Sequence, residues 1–231
     1  MCVSLLHRRW VSGLALLGLA ESAVEASDLD VLLFESLDAG RSTFSTSGAK
    51  IGLGARDRDG PVALVAIGDG VRVERKRCGC GAPATSLSLS AEASAQLGYQ
   101  WVLPQGAVAA FLGFETRIDG VRGIRDGMRL QAEAWLRPDE DTLVHAVTVA
   151  GTARGSVWTR IAWGYRLWDT YLGPEGSASL DATGYGKVAL GLHATDFVLM
   201  NTHIRLSTGM QWESQRTRPA PYFTLATWAS F

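Results

Sequence analysis

From Leu87 to Leu103 the chain alternates strictly between two kinds of side chain. Leu87, Leu89, Ala91, Ala93, Ala95, Leu97, Tyr99, Trp101 and Leu103 fall on one face, and Ser88, Ser90, Glu92, Ser94, Gln96, Gly98 and Gln100 on the other. A period of two is a strand signature, and no helix can keep such a face together. The segment is too long for the average soluble strand, and Tyr99 and Trp101 stand near the end of its apolar face. Aromatics at that position are what the interfacial girdle of a transmembrane β-barrel requires.

The pattern recurs along the chain. Met128, Leu130, Ala132, Ala134 and Leu136 alternate with Arg129, Gln131, Glu133, Trp135 and Arg137. Val157, Thr159, Ile161, Trp163, Tyr165 and Leu167 alternate with Trp158, Arg160, Ala162, Gly164, Arg166 and Trp168. Val188–Ala194 and Ile204–Trp212 behave alike, and in each segment charge is confined to one face. A charged side chain facing mid-bilayer lipid costs about 2–4 kcal/mol, so a membrane barrel must segregate charge in this way.

Turn-forming residues separate the segments at Asp57–Gly60, Pro104–Gly106, Pro138–Thr142 and Ala194–Asp196, with less regular connections between them. The spacing predicts an all-β, up-and-down antiparallel transmembrane β-barrel of about twelve strands, or ten if Asp28–Asp38 does not span. An even count puts both ends of the chain on the periplasmic side. In Pro61–Arg75, Val65 and Ile67 share a face with Asp69, which predicts a bulge near Gly68 or Gly70.

Both ends of the chain fit export. His7, Arg8 and Arg9 precede the apolar run Trp10–Ala20, and Val24-Glu-Ala26 offers small residues before Ser27. This reads as a signal peptide over residues 1–26, with the barrel over 27–231. The run is shorter than the roughly 20 residues a membrane-spanning helix needs. The last strand ends on Phe231, sharing a face with Phe223, Leu225, Thr227 and Ala229. Such a terminal aromatic is the usual address for barrel assembly machinery, and outer-membrane lipid is the expected surround.

A net charge of −1 excludes a nucleic-acid binder, and the composition excludes a disordered chain. Cys78 and Cys80 read as a small loop staple or two free thiols, since no matching Cys or His pair completes a metal site. No cofactor is expected.

The inward face carries both signs of charge: Glu92, Glu115, Arg117, Arg129, Glu133, Arg160, Arg166, Glu175, Lys187, His193 and Arg205. Trp135, Trp158 and Trp168 accompany the arginines and suit sugar rings, which stack on aromatic faces and take hydrogen bonds from guanidinium. The candidate lumen or polysaccharide contacts are therefore Arg129, Glu133, Trp135, Trp158, Arg160, Arg166, Trp168, Glu175, His193 and Arg205. The competing reading is a paired-charge network that fills a narrow barrel. Enzymatic use finds little support. His193 and His203 lie on adjoining strands, but Ser207 is about 13 Å along the strand from His203, and no Gly-x-Ser-x-Gly elbow occurs.

Several motifs occur together: Leu37-Asp-Ala-Gly40, Leu97-Gly-Tyr-Gln-Trp101, Glu133-Ala-Trp-Leu-Arg-Pro138, Ala150-Gly-Thr-Ala-Arg154, Trp158-Thr-Arg-Ile-Ala-Trp-Gly-Tyr165, Leu172-Gly-Pro-Glu175 and Gly191-Leu-His-Ala-Thr195. In this order the chain resembles the cellulose biosynthesis protein BcsS family, over roughly Leu33 to Trp212. The resemblance implies an accessory role in cellulose production at the cell outer membrane: export, anchoring or organisation of the polysaccharide. It implies cellulose and synthase components as partners. The alternatives are a plugged barrel that docks periplasmic synthase components, and a lipid- or glycan-modifying enzyme.

Overall fold

A computed structural model describes residues 30–53, 58–77, 83–120, 123–214 and 216–231. The expected signal peptide, Cys78 and Cys80, and part of the 57–60 turn lie outside the described residues. The described chain forms β1 (Asp30–Ala39), β2 (Ser42–Gly52), β3 (Gly60–Arg77), β4 (Pro83–Leu103), β5 (Gly106–Asp119) and β6 (Gly123–Leu136). It continues with β7 (Thr142–Gly151), β8 (Ser156–Leu167), β9 (Thr170–Asp181), β10 (Gly186–Leu199), β11 (Thr202–Glu213) and β12 (Ala220–Ser230). Neighbours in sequence are neighbours in space, all antiparallel, and β1 pairs with β12 to close a barrel of twelve strands. No described segment is helical.

The closing ladder runs from Leu32 opposite Ser230 to Ala39 opposite Phe223. Val31 and Phe231 extend it by exchanging backbone hydrogen bonds of 3.3 and 2.9 Å. Of Asp28–Asp38, the weakest segment by pattern, the described residues from Asp30 onward pair on both sides as a full partner in the wall, which decides for twelve strands over ten. Its weakness has a physical source. Glu35 lies on the outer face between Leu33 and Leu37, opposite Thr227 and Ser47, so the apolar periodicity is broken at its centre.

Large apolar side chains cover the outer wall: Leu97 is 68% exposed, Phe114 70% and Leu192 65%. In an isolated soluble domain such a belt would be an error; facing lipid, it is the required surface. Inside, Val62, Leu64, Ala109 and Phe111 form a buried apolar cluster with Phe34 against it. Gly48 has to be glycine here, because a Cβ would collide with the Phe34 ring and with the Val65 carbonyl.

Two details of the strand reading are corrected. The bulge expected near Gly68 or Gly70 does not form, and β3 keeps one register with both β2 and β4. Asp69 stays on the outer face, where its carboxylate accepts from the Ser45 hydroxyl on β2. The turn expected at Ala194–Asp196 is instead a bulge within β10, between Thr195 and Phe197. The chain reverses at 200–201, where Met200 and Asn201 both take positive φ (48° and 64°), the geometry a tight hairpin favours. A further reversal at 168–169, with Trp168 at φ 55°, gave no Gly or Pro signal.

The outer face predicts a charge test. In bilayers, Leu190→Arg should destabilise the barrel by about 2–4 kcal/mol. Glu35→Leu should stabilise it by about 1 kcal/mol, since an outward carboxylate is itself a cost. Denaturant unfolding in liposomes, read by tryptophan fluorescence, measures both.

Candidate functional site

The alternation that turns Leu and Phe outward turns the polar set inward, and the register then decides which of these meet. Across the ring, β6 and β12 stand opposite one another. Their inward Trp135 and Trp228 touch edge to face, with ring centroids 5.5 Å apart. Trp135 also packs against His145 at 5.2 Å, and Trp228 stacks on His203 at 5.5 Å. Lys50 of β2 reaches over the Phe111 ring and makes an ion pair with Glu133 of β6. These contacts reach across the interior, and Trp135, Trp228, Lys50 and Glu133 also line its large cavity. They form a floor close to the end of the barrel that carries both chain ends.

The β10 bulge serves the same floor. Asp196, with φ 72°, accepts from Arg137 at 2.6 Å and meets His203 at 2.5 Å. Sequence reasoning read Ala194-Thr-Asp196 as a turn; Asp tolerates positive φ, and the bulge uses that tolerance to aim the carboxylate.

One side of the interior is packed by a polar network. Arg205, 2% exposed, donates to Glu175 at 2.5 Å and to Nδ1 of His145 at 2.7 Å. Glu175 also accepts from Ser207 at 3.0 Å and from Tyr222 at 2.8 Å. The buried carboxylate is thus paired and its lone pairs are filled, which is the condition for burying a charge. His193 Nε2 donates to the Trp163 carbonyl at 3.1 Å, so its Nδ1 accepts from Thr195 at 2.7 Å. Both ring nitrogens are engaged, which leaves neither free to take a proton from a substrate.

Towards the opposite end the interior opens. A cavity of about 1230 Å³ is lined by Arg125, Arg129, Trp158, Arg160 and Arg216, among others. Small-molecule sites usually occupy about 300–1,000 Å³. Arg117 and Arg129 both bond Glu92, at 3.1 and 2.9 Å, and Arg129 also approaches Glu115 at 3.5 Å. Gly151 leaves room for the Glu115 carboxylate, which a Cβ would strike. Arg154, beyond β7, pairs with Asp181 at 2.5 Å. The Arg160 guanidinium lies 5.4 Å over the Trp158 ring. A smaller cavity of about 210 Å³ lies at the chain-end mouth. The two cavities share Leu32, Lys50 and Gln100 as lining, so the Lys50 bar stands at their boundary.

Most of the sequence-derived candidates face the interior: Arg129, Glu133, Trp135, Trp158, Arg160, Glu175, His193 and Arg205. They do not form one site. Trp158, Arg160 and Arg129 line the large cavity; Trp135 and Glu133 also line it, at its floor; Glu175 and His193 belong to the packed network. Trp168 is a correction: it stands in the 168–169 turn, 84% exposed, because the chain reverses before the alternation can carry it inward. Arg166 is exposed at the same end, with Asp169 at 3.4 Å. Sequence reasoning passed over Lys50, Phe111, His145 and Trp228. Trp228 was reachable by counting back from Phe231; Lys50 sits in β2, too rich in Ser and Thr to read as a strand.

A family model described as cellulose biosynthesis protein BcsS matches residues 32–231, which takes in every strand but the first two residues of β1. The chain belongs to the BcsS family. Among solved structures, the chain is similar to a KdgM porin in complex with disordered oligogalacturonate, at 11% identity and a TM-score of 0.49. That match covers 87% of this chain and 99% of the porin. A second KdgM porin structure matches at 9% identity and a TM-score of 0.48, with the same coverage. The comparison with curated proteins returned no match.

The Arg205 network makes a stability prediction. Arg205→Met leaves Glu175 buried without its cation and should cost about 3–5 kcal/mol. Adding Glu175→Gln should recover part of that loss. Equilibrium unfolding of the refolded barrel measures both.

Proposed function

We infer that this BcsS member is an accessory barrel of the outer membrane that holds polysaccharide at the cell surface and does not conduct it through the wall. Two features support the membrane placement: the apolar outer belt and the closed ladder. Both chain ends then face the periplasm, and the large cavity opens outward as a vestibule. Polysaccharide, with Trp158 as a stacking face and guanidinium groups as donors, is the ligand that suits the vestibule and the family. The observation that carries the holding role is the floor: Trp135 against Trp228, and Lys50 against Glu133, cross the interior below the vestibule.

The role is non-enzymatic. His193 is held at both nitrogens, and Ser207 is bonded to the Glu175 carboxylate with Arg205 beside it. Neither presents a nucleophile beside a free base. The floor also suits the docking of periplasmic synthase components on the chain-end turns, a use compatible with a filled barrel.

Deleting the gene under cellulose-producing conditions should lower cell-associated cellulose and leave released cellulose equal or higher. An unchanged distribution would remove the role. In planar bilayers the purified barrel should show no steady conductance; sustained currents blocked by gluco-oligosaccharides would make it a conduit instead.

A further inference from the structure

Charge in the vestibule does not balance, and the imbalance has a location. Several cations on the cavity wall are matched to carboxylates: Lys50 to Glu133, Arg117 and Arg129 to Glu92, and Arg205 to Glu175. At the outer mouth Arg154 is matched to Asp181. Arg125 near the start of β6, Arg160 midway along β8 and Arg216 in the β11–β12 connection line the same cavity, and none of them makes an ion pair with a described residue. Among the lining carboxylates, Asp38 bonds the Thr224 hydroxyl at 2.5 Å, and Glu115 accepts from the Ala153 amide at 2.9 Å. These arginines, and Lys187 on the same cavity, have no ion-pair partner among the described residues.

Arg160 is the informative member. Its guanidinium stacks over Trp158, and its Nε is buried with no hydrogen-bond partner among the described residues. A buried donor left unpaired is a cost that a ligand acceptor removes. An arginine fork matches a carboxylate or phosphate in two parallel bonds, and the adjoining indole offers a face to a sugar ring. Low-dielectric walls around the cleft concentrate the field of unneutralised charge and raise the local concentration of anions.

We propose that the vestibule selects a saccharide chain carrying anionic groups, with Arg125, Arg160 and Arg216 reading the oxyanions and Trp158 stacking on the ring. The inference rests on the reading of the vestibule as a polysaccharide site and adds the chemical class of its ligand. A neutral glucan would use the stacking face alone; a carboxylated or phosphorylated one would use both.

The test uses the full barrel in detergent micelles, with tryptophan fluorescence and calorimetry as readouts. The probes are cellohexaose, the same hexamer oxidised to carboxylate at C6, and inorganic phosphate alone. The carboxylated hexamer should bind about tenfold tighter than the neutral one at low salt. That ratio should shrink towards one in roughly 0.5 M salt, as screening removes the ionic part. In the double variant Arg125→Gln/Arg216→Gln the low-salt ratio should fall below about threefold. Heat-modifiable mobility in SDS gels checks that the variant barrel is folded. Equal affinity for the two hexamers would overturn the inference and leave the polysaccharide reading standing; binding of neither would sink both. Phosphate binding as tightly as the carboxylated hexamer would overturn it as well, since the site would then read free oxyanions and not a chain.

Discussion

The ladder between β1 and β12 is the contact on which the rest of the molecule depends. In a bilayer no water is present to bond a free strand edge, so a spanning sheet must close or not insert. Closure through Leu32–Ala39 and Phe223–Ser230, extended by Val31 and Phe231, removes both edges at once. It also gives every strand an inside and an outside. The apolar belt, the inward charges and the position of each pair across the interior all follow from that single ring.

Once the ring exists, its interior has to be filled or wetted. This barrel does both, in different places. Near the chain ends, Trp135, Trp228, Lys50, Glu133 and the Phe111 cluster fill it. On the β9–β12 side, Glu175, Arg205, Ser207 and Tyr222 bond one another, so a buried carboxylate and guanidinium are paired and hydrogen-bonded. Towards the other mouth the same wall recedes into a large cavity. The division follows side-chain size: Trp135 and Trp228 meet across the interior where the serines of β4 and β9 cannot.

The family membership and this geometry address different questions. Membership places the chain in cellulose biosynthesis. The geometry shows where side chains cross the interior, Trp135 against Trp228 and Lys50 against Glu133.

Much of the wall was legible in the residues alone. Leu87–Leu103, Met128–Arg137 and Ile204–Trp212 declare strands, faces and an apolar exterior, because alternation is local and its period of two is unambiguous. Phe231 anchors the face of β12 by counting. The reversal at 168–169 and the bulge at Thr195–Phe197 were not legible. There, residues without glycine adopt positive φ because the strands on either side hold them in register. Nor could the sequence say that Trp135 meets Trp228, or that Lys50 meets Glu133. Inwardness is a property of one strand, but contact across a lumen depends on barrel width, tilt and stagger, which exist only when all the strands have closed. Residue order alone determined which side chains would face lipid and which would face inward; the closed ring decided which of the inward ones would meet across the interior.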